Sequence, residues 1–185
     1  MHGTRAKFLI LATLFFALTS SSTASQGFPW NDFERRTMVQ LLKMNTDEDS
    51  GDLKRYSDKA QMVMRGKILP SVVRMTYTGE SRPLGEVRSK FIEMWAGAYS
   101  NVPDYARNFE NEVLFKEGQQ EYWLPVQKQV AKYFDKELKK DEPIDVYLVR
   151  PGGVRSGEKV DWIFLMEEFQ KPKEKEWPSP ETQKL

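Results

Sequence analysis

The chain of 185 residues contains no cysteine and only one histidine, His2. Without these side chains a protein cannot form disulfides, zinc sites of the usual Cys/His type, or Ser-His-Asp and Cys-His catalytic systems. One sign of charge is also missing as an excess, because 28 Lys and Arg face 27 Asp and Glu. Such a balance gives no long-range attraction for nucleic acid or anionic lipid. We therefore expect no metal, no cofactor and no nucleic-acid partner.

The first 24 residues have the pattern of a secretory signal peptide, and they include His2. Arg5 and Lys7 supply a positive start, an apolar run covers Phe8–Leu18, and a small, polar stretch ends at Ala24. As a helix the apolar run would span about 16 Å, which is shorter than a hydrocarbon core of about 30 Å. We therefore predict cleavage between Ala24 and Ser25, export to the periplasm or the secreted space, and no membrane span after cleavage.

The rest of the chain divides into three predicted units. These are an N-terminal helix with an acidic linker over 25–52, an α+β domain over 53–170 and a disordered tail over 171–185. Asn31 and Glu34 have the spacing of a helix capping box, so the first helix is predicted to run from there to about Met44.

The clearest predicted element is an amphipathic helix over 84–100. Its apolar side chains recur at spacings of three and four: Leu84, Val87, Phe91, Met94, Trp95 and Ala98. After it we predict strands at 112–115 and 121–124, a second helix at 126–138, and strands at 144–149 and 160–169. Residues 53–78 are predicted to form one bent strand or two short strands, and a helix in the first half is the alternative.

The strand at 160–169 carries apolar side chains on both faces. Trp162, Phe164 and Met166 alternate with Ile163 and Leu165. Successive side chains of a strand point to opposite faces, so both faces of this strand should be covered. We expect it to lie in the core of the domain.

The order of elements predicts an α+β fold. We expect a small, mostly antiparallel sheet or a partly open barrel, with two amphipathic helices and the N-terminal helix. A helix between the third and fourth of five strands is also the element order of an OB fold, a small barrel. Other α+β domains share this order, so both architectures remain open.

Two segments resemble ligand-binding loops only in part. Residues 45–52 are acidic like an EF-hand loop, but Ser50 stands where the loop needs glycine and Tyr56 where it needs glutamate. The glycine-rich segment 151–157 has the glycine spacing of a phosphate-binding loop, but Glu158 replaces its lysine. We interpret the first segment as a linker and the second as the connection between two strands.

The function predicted by these patterns is a non-enzymatic binding or structural module of the cell envelope or the secreted space. Its partner would be a protein or a small-molecule ligand, and the candidate binding surface is Tyr122, Trp123, Arg155 and Trp162. A carboxylate-based hydrolase acting on a glycan is one alternative, since two carboxyls alone can hydrolyse a glycosidic bond. An OB-type oligonucleotide binder is the second, since aromatic side chains on strands can stack on bases.

Overall fold

A computed structural model describes residues 28–47, 52–57, 60–64, 68–102 and 104–173. The strands are β1 (Glu34–Arg35), β2 (Asp52–Ser57), β3 (Ala60–Met64), β4 (Ser71–Pro83), β5 (Phe109–Glu117), β6 (Gln120–Gln127), β7 (Pro143–Ser156) and β8 (Lys159–Gln170). The helices are α1 (Met38–Asp47), α2 (Glu86–Tyr99), α3 (Lys128–Ala131) and α4 (Phe134–Glu137). The predicted α+β class is confirmed. Within these ranges no helix is long and apolar enough to cross a membrane.

Five of the strands pair in a closed ring. β4 pairs antiparallel with β5, β5 with β6, and β7 with both β4 and β8. β6 and β8 run parallel, with Val126 opposite Met166. α2 lies in the connection between β4 and β5, and α3 and α4 lie in the connection between β6 and β7. β3 and β2 extend the sheet outward from the far half of β7.

The ring encloses a core to which all five of its strands contribute. Its buried side chains are Val73, Met75, Tyr77, Val113, Phe115, Leu124, Val126, Ile144, Val146, Leu148, Phe164, Met166 and Phe169. Met38 and Leu41 of α1 join this cluster, as do Val130, Phe134 and Leu138 of the α3–α4 connection. We call this set the inner cluster. Because the strands contribute mostly alternate residues, the inner cluster fills the inside of the ring.

A second cluster covers the outside of β7 and β8. It joins Met62, Met64, Phe91, Ile92, Trp95, Ala96, Phe109, Val149, Val154, Ile163 and Leu165. Ile163 and Leu165 of β8 therefore face outward, whereas Phe164 and Met166 face the inner cluster. The prediction that this strand is covered on both faces is confirmed.

α2 confirms the helix predicted over 84–100, but its buried face is rotated. Ile92 and Ala96 are buried, whereas Val87 is 42% exposed and Ala98 is exposed. Arg88, which the pattern assigns to solvent, has a side chain only 19% exposed because it pairs with a buried carboxylate. Spacings of three and four fit two neighbouring stripes of this helix, and the ion pair of Arg88 decides between them.

The N-terminal helix begins at Met38 and not near Asn31. Its capping box is formed by Thr37 and Gln40. The Thr37 N–H donates to Gln40 Oε1 over 2.8 Å, and the Gln40 N–H donates to Thr37 Oγ1 over 3.1 Å. Asn31 lies instead in the short 3-10 helix Trp30–Asp32.

Aromatic packing explains why the chain is not α-helical before Met38. The ring centroids of Phe28, Trp30 and Phe33 lie 5.7, 4.8 and 5.3 Å from that of Tyr147 on β7. β1 then pairs in parallel with the start of β4. These contacts hold the segment against the ring, and the gain from aromatic packing outweighs the local preference for a helix.

Three other predicted elements differ from the structure. Residues 53–78 contain parts of the three strands β2, β3 and β4, and the described part of this segment includes no helix. The predicted second helix is divided into α3 and α4, and Tyr133 between them is 42% exposed. The strands predicted at 112–115 and 121–124 are longer, and they form the antiparallel pair β5–β6.

The glycine-rich segment 151–157 is not the loop that its composition predicts. β7 continues to Ser156, and the turn to β8 contains only Gly157 and Glu158. Pro151, Gly152 and Gly153 are buried within β7. The loop prediction is therefore wrong for most of this segment.

Close strand packing explains these glycines. A Cβ on Gly152 would lie 1.9 Å from the carbonyl oxygen of Val63 on β3. A Cβ on Gly153 would lie 2.5 Å from the carbonyl oxygen of Asp161 on β8. Only glycine leaves room for backbones at these distances.

Candidate functional site

Two of the four predicted binding residues lie side by side on the inner face of the ring. Tyr122 on β6 and Trp162 on β8 are half-buried, and both pack against the inner cluster. β6 and β8 are parallel, with Val126 opposite Met166. Tyr122 and Trp162 each precede those residues by the same number of positions, so they lie at the same level of neighbouring strands.

Arg155 lies on the same face as Trp162. On the β7–β8 ladder Arg155 is opposite Val160, and Gly153 is opposite Trp162. Residues two apart on a strand share a face, so Arg155 and Trp162 project from the same side of the hairpin. We call Tyr122, Arg155 and Trp162 the rim surface. The structure brings these three predicted residues together.

Trp123 is separated from the rim surface. It follows Tyr122 on β6 and therefore points to the opposite face of the strand. The guanidinium carbon of Arg82 lies 4.0 Å from the centroid of the Trp123 ring, which is the geometry of a cation–π contact. This side chain therefore belongs to the outer face of the ring.

An acidic group lies near the rim surface. Glu117, at the end of β5, accepts the Met38 N–H of α1 at 3.1 Å on Oε1 and 3.0 Å on Oε2. Burial raises the pKa of Glu117, and the hydrogen bonds from α1 oppose that rise. Burial, and then the charge of Glu117, raise the pKa of Tyr122. Tyr122 is therefore a neutral hydrogen-bonding phenol in the physiological range.

A buried carboxylate anchors α2 to the outside of the ring. Arg82 donates to Glu112 Oε1 and Arg88 donates to Glu112 Oε2. Arg88 also donates to the Trp123 carbonyl over 3.1 Å and to Asp161 over 3.0 Å. These bonds satisfy the oxygens of Glu112, so the network fixes α2 in place and offers no carboxyl for acid–base chemistry.

A second buried carboxylate, Glu167 on β8, has different partners. Tyr105 of the 3-10 helix Tyr105–Asn108 donates to Oε1, and the Gln127 amide donates to Oε2. Burial raises the pKa of Glu167 to about 7, the two hydrogen bonds lower it, and the charge of Glu168 raises it. Glu167 is therefore a carboxyl that exchanges its proton near neutral pH.

A β-bulge directs the Glu167 side chain. Tyr147 is opposite Glu168 and Leu148 is opposite Met166, so Glu167 is the extra residue on β8. An extra residue interrupts the alternation of faces, and bulges often redirect a side chain in this way. Simple alternation therefore gives no signal for the position of Glu167.

The glycan-hydrolase alternative requires two carboxyls about 5–10 Å apart across a cleft. Glu167 supplies the kind of carboxyl that can act as an acid. The carboxylate whose charge acts on it is Glu168, the next residue of the same bulge. These contacts give the hydrolase a candidate acid without identifying a nucleophile or base on a facing element.

The other sequence-based expectations concern cleavage and metals. Ala24 and Ser25, the predicted cleavage site, lie outside the described residues, as does most of the acidic segment 45–52. In the part of the chain that is described, no group of three or more acidic or histidine side chains is arranged to hold a metal ion.

Comparison with known proteins gives no relative for this arrangement. No protein-family model, curated protein or solved structure matches the chain. The functional argument therefore depends on the residues and contacts described above.

Proposed function

We propose that this chain is an exported, non-enzymatic binding module with an OB-type barrel, and that its rim surface holds a protein or small-molecule ligand. Export is inferred from the signal-peptide pattern of residues 1–24, which favours the periplasm or the secreted space. The proposal rests on the strand order, on the covering of the outer face, and above all on the rim surface.

The strand order supports the OB-type barrel. β4, β5 and β6 are consecutive antiparallel strands, and β7 returns to lie beside β4, which is the Greek-key order. β8 completes the ring between β6 and β7. The helical connection formed by α3 and α4 separates the third and fourth of these five strands, as in OB folds.

The outer face of β6 and β8 is covered by the chain itself. OB folds bind oligonucleotides on the face of their second and third strands, beside the connection between the first and second. Here that connection carries α2, and Arg88 on α2 bonds to Trp123 and Asp161. Tyr105, in the same connection, bonds to Glu167. This cover and the even charge argue against an oligonucleotide ligand.

The rim surface is the observation that carries the proposal. Tyr122, Arg155 and Trp162 are half-buried and project from one face of adjoining strands. Tyrosine, tryptophan and arginine are the side chains most enriched in binding hot spots, because they combine a large apolar area with hydrogen-bonding groups. Their grouping on rigid strands favours recognition of a flat apolar or aromatic group that carries a hydrogen-bond acceptor.

The proposal is tested by a ligand search that includes site variants. The purified mature chain is used for pull-down from an envelope extract and for a thermal-shift screen of small molecules. Each candidate is then titrated against Arg155→Ala and Trp162→Phe, and we expect its Kd to rise about tenfold or more. Arg107→Ala is the matched control, since the Arg107 side chain is 81% exposed outside the rim surface.

Two results would contradict the proposal. One is that neither search yields a ligand. The other is that ligands bind the parent, both rim variants and the Arg107→Ala control with the same affinity, which would place binding elsewhere on the molecule.

A further inference from the structure

Three separate parts of the fold meet at the carboxyl group of Glu167. β8 contributes the carboxyl itself, the 3-10 helix contributes the Tyr105 hydroxyl, and the end of β6 contributes the Gln127 amide. Gln129 donates in turn to Gln127 Oε1, which fixes the amide with its N–H toward Glu167. The 3-10 helix is thereby fastened to the ring through a titratable group.

The fastened segment comes from the long connection between β4 and β5. We call residues 104–108 the docked segment. Besides the hydrogen bond to Glu167, Tyr105 packs its ring 5.8 Å from Trp95 and 5.3 Å from Phe109, measured between centroids. Internal support is slight, since the backbone bonds are those of one 3-10 turn, including Arg107 N–H to the Asp104 carbonyl at 2.9 Å. The attachment of this segment therefore depends on its side-chain contacts.

The charged groups around the cluster leave Glu167 as the group whose state changes at this junction. On β8, Glu168 adds a negative charge next to it. On the α3 side, Lys128 is paired with Glu110 of β5, and both side chains are largely exposed. Arg107 and Asp104 of the docked segment pair with each other at 3.4 Å and are exposed. Exposed pairs of this kind are screened and contribute little.

We propose that protonation of Glu167 controls how firmly the docked segment is attached to the ring, with firm attachment in acid and looser attachment in alkali. In the docked state the carboxyl is removed from water, so an ionised Glu167 is disfavoured there. Release of the segment rehydrates the carboxylate. Ionisation therefore favours release, and protonation favours docking.

The hydrogen bonds can be kept in both protonation states, which makes the transition reversible. With Glu167 ionised, Tyr105 and Gln127 each donate to one carboxylate oxygen. With Glu167 protonated, its O–H can donate to the Tyr105 hydroxyl oxygen while Gln127 still donates to the carbonyl oxygen. Burial and the neighbouring Glu167 raise the pKa of Tyr105, so the tyrosine keeps its proton throughout. The pKa of Glu167, raised to about 7, places the change near neutral pH.

The experiment is native-state hydrogen exchange of the mature chain between about pH 5.5 and 8.5, corrected for intrinsic exchange rates. The Tyr105 and Arg107 amides report release of the docked segment, and the Leu114 amide in β5 is the internal reference. From the shift between an ordinary glutamate and a pKa near 7, we expect the protection of the reporter amides to fall about tenfold to thirtyfold relative to Leu114 over this range.

Glu167→Gln should remove this pH dependence, because glutamine keeps the size and an acceptor oxygen but does not titrate. Glu110→Gln is the matched control and should retain the full effect, since Glu110 is 63% exposed. A corrected protection that is independent of pH in the parent, or one that still falls in Glu167→Gln, would overturn the proposal.

A second measurement needs no variant. The side-chain carboxyl carbon of Glu167 is followed by NMR in the parent across the same pH range. The proposal requires that its titration midpoint coincide with the midpoint of the change in protection, and titration of Glu167 near the ordinary glutamate value would refute it. The outcome is independent of the rim-surface proposal, because no ligand takes part.

Discussion

Replacing Gly152 with alanine should cost roughly 3–5 kcal/mol in the free energy of unfolding. The new Cβ would lie 1.9 Å from the carbonyl oxygen and 3.0 Å from the carbonyl carbon of Val63. These are backbone atoms of β3, so no side-chain rotation relieves the contact. The φ of Gly152 is +139°, which also strains a residue with a Cβ. Overpacking costs about 1–3 kcal/mol, and a strained φ about 1–3 kcal/mol more.

Two other glycines separate these contributions. Gly157 has a φ of +63° but nothing within 4 Å of an added Cβ, so Gly157→Ala should show the strain alone, about 1–2 kcal/mol. Gly97 lies on the exposed side of α2, again with nothing within 4 Å. Gly97→Ala should therefore stabilise the protein by about 0.5–1 kcal/mol.

Equilibrium urea unfolding of the four proteins gives the comparison directly. The expected order of stability is Gly97→Ala, parent, Gly157→Ala and, lowest, Gly152→Ala, with similar m-values for all. If Gly152→Ala were as stable as Gly157→Ala, β3 would not lie against β7 as described, and the explanation of the glycine-rich segment would fail.

Three further predictions concern the core and the buried carboxylates. Phe164→Ala should cost about 3–5 kcal/mol because its side chain is buried in the inner cluster, whereas deletion of 171–185 should change the melting temperature little. Thermal melts in which the deletion is the more damaging would contradict the core assignment. Glu112→Ala should cost about 3–5 kcal/mol, because it leaves Arg88 without its buried acceptor, and a loss in urea unfolding below about 1 kcal/mol would refute this. Glu167 binds its proton more tightly in the folded state, so stability of the parent should fall as pH rises from about 4.5 to about 7. Glu167→Gln should therefore gain on the parent in melts at pH 8 relative to pH 5, and equal differences at both values would contradict it.

Regular patterns account for the parts of the fold that could be predicted. The alternation through Phe164 and Ile163 places β8 between two apolar layers, because a strand has a fixed period of two. The apolar spacing around Phe91 and Trp95 likewise predicts α2. Both signals depend on many residues at once, so they survive errors at single positions.

Local motifs with two possible sites were misread. Asn31 with Glu34 and Thr37 with Gln40 both have the spacing of a capping box, and the second pair caps the helix. The choice between them depends on Tyr147, which is distant in sequence and holds the aromatic residues before the helix. A single sequence does not contain that contact as a local pattern.

The candidate sites were predictable only where alternation is unbroken. Arg155 and Trp162 lie on one face of a regular hairpin, so their proximity follows from strand geometry once the hairpin is recognised. Glu167 lies at a bulge, and its partner Tyr105 comes from a segment without periodicity. Nothing in the order of residues reveals that these two side chains meet.

The closed ring has a consequence for the timing of folding. Ser71 and Leu148 are paired neighbours in space but far apart along the chain. As the polypeptide emerges from a ribosome or a translocation channel, β4 must wait for most of the remaining sequence before its partner β7 arrives. Contacts of such long range close slowly, and the unpaired edge of β4 is a site for aggregation during the delay. The hairpin β5–β6 can form earlier and protect one edge of β4, so ring closure between β4 and β7 should be the late step in folding.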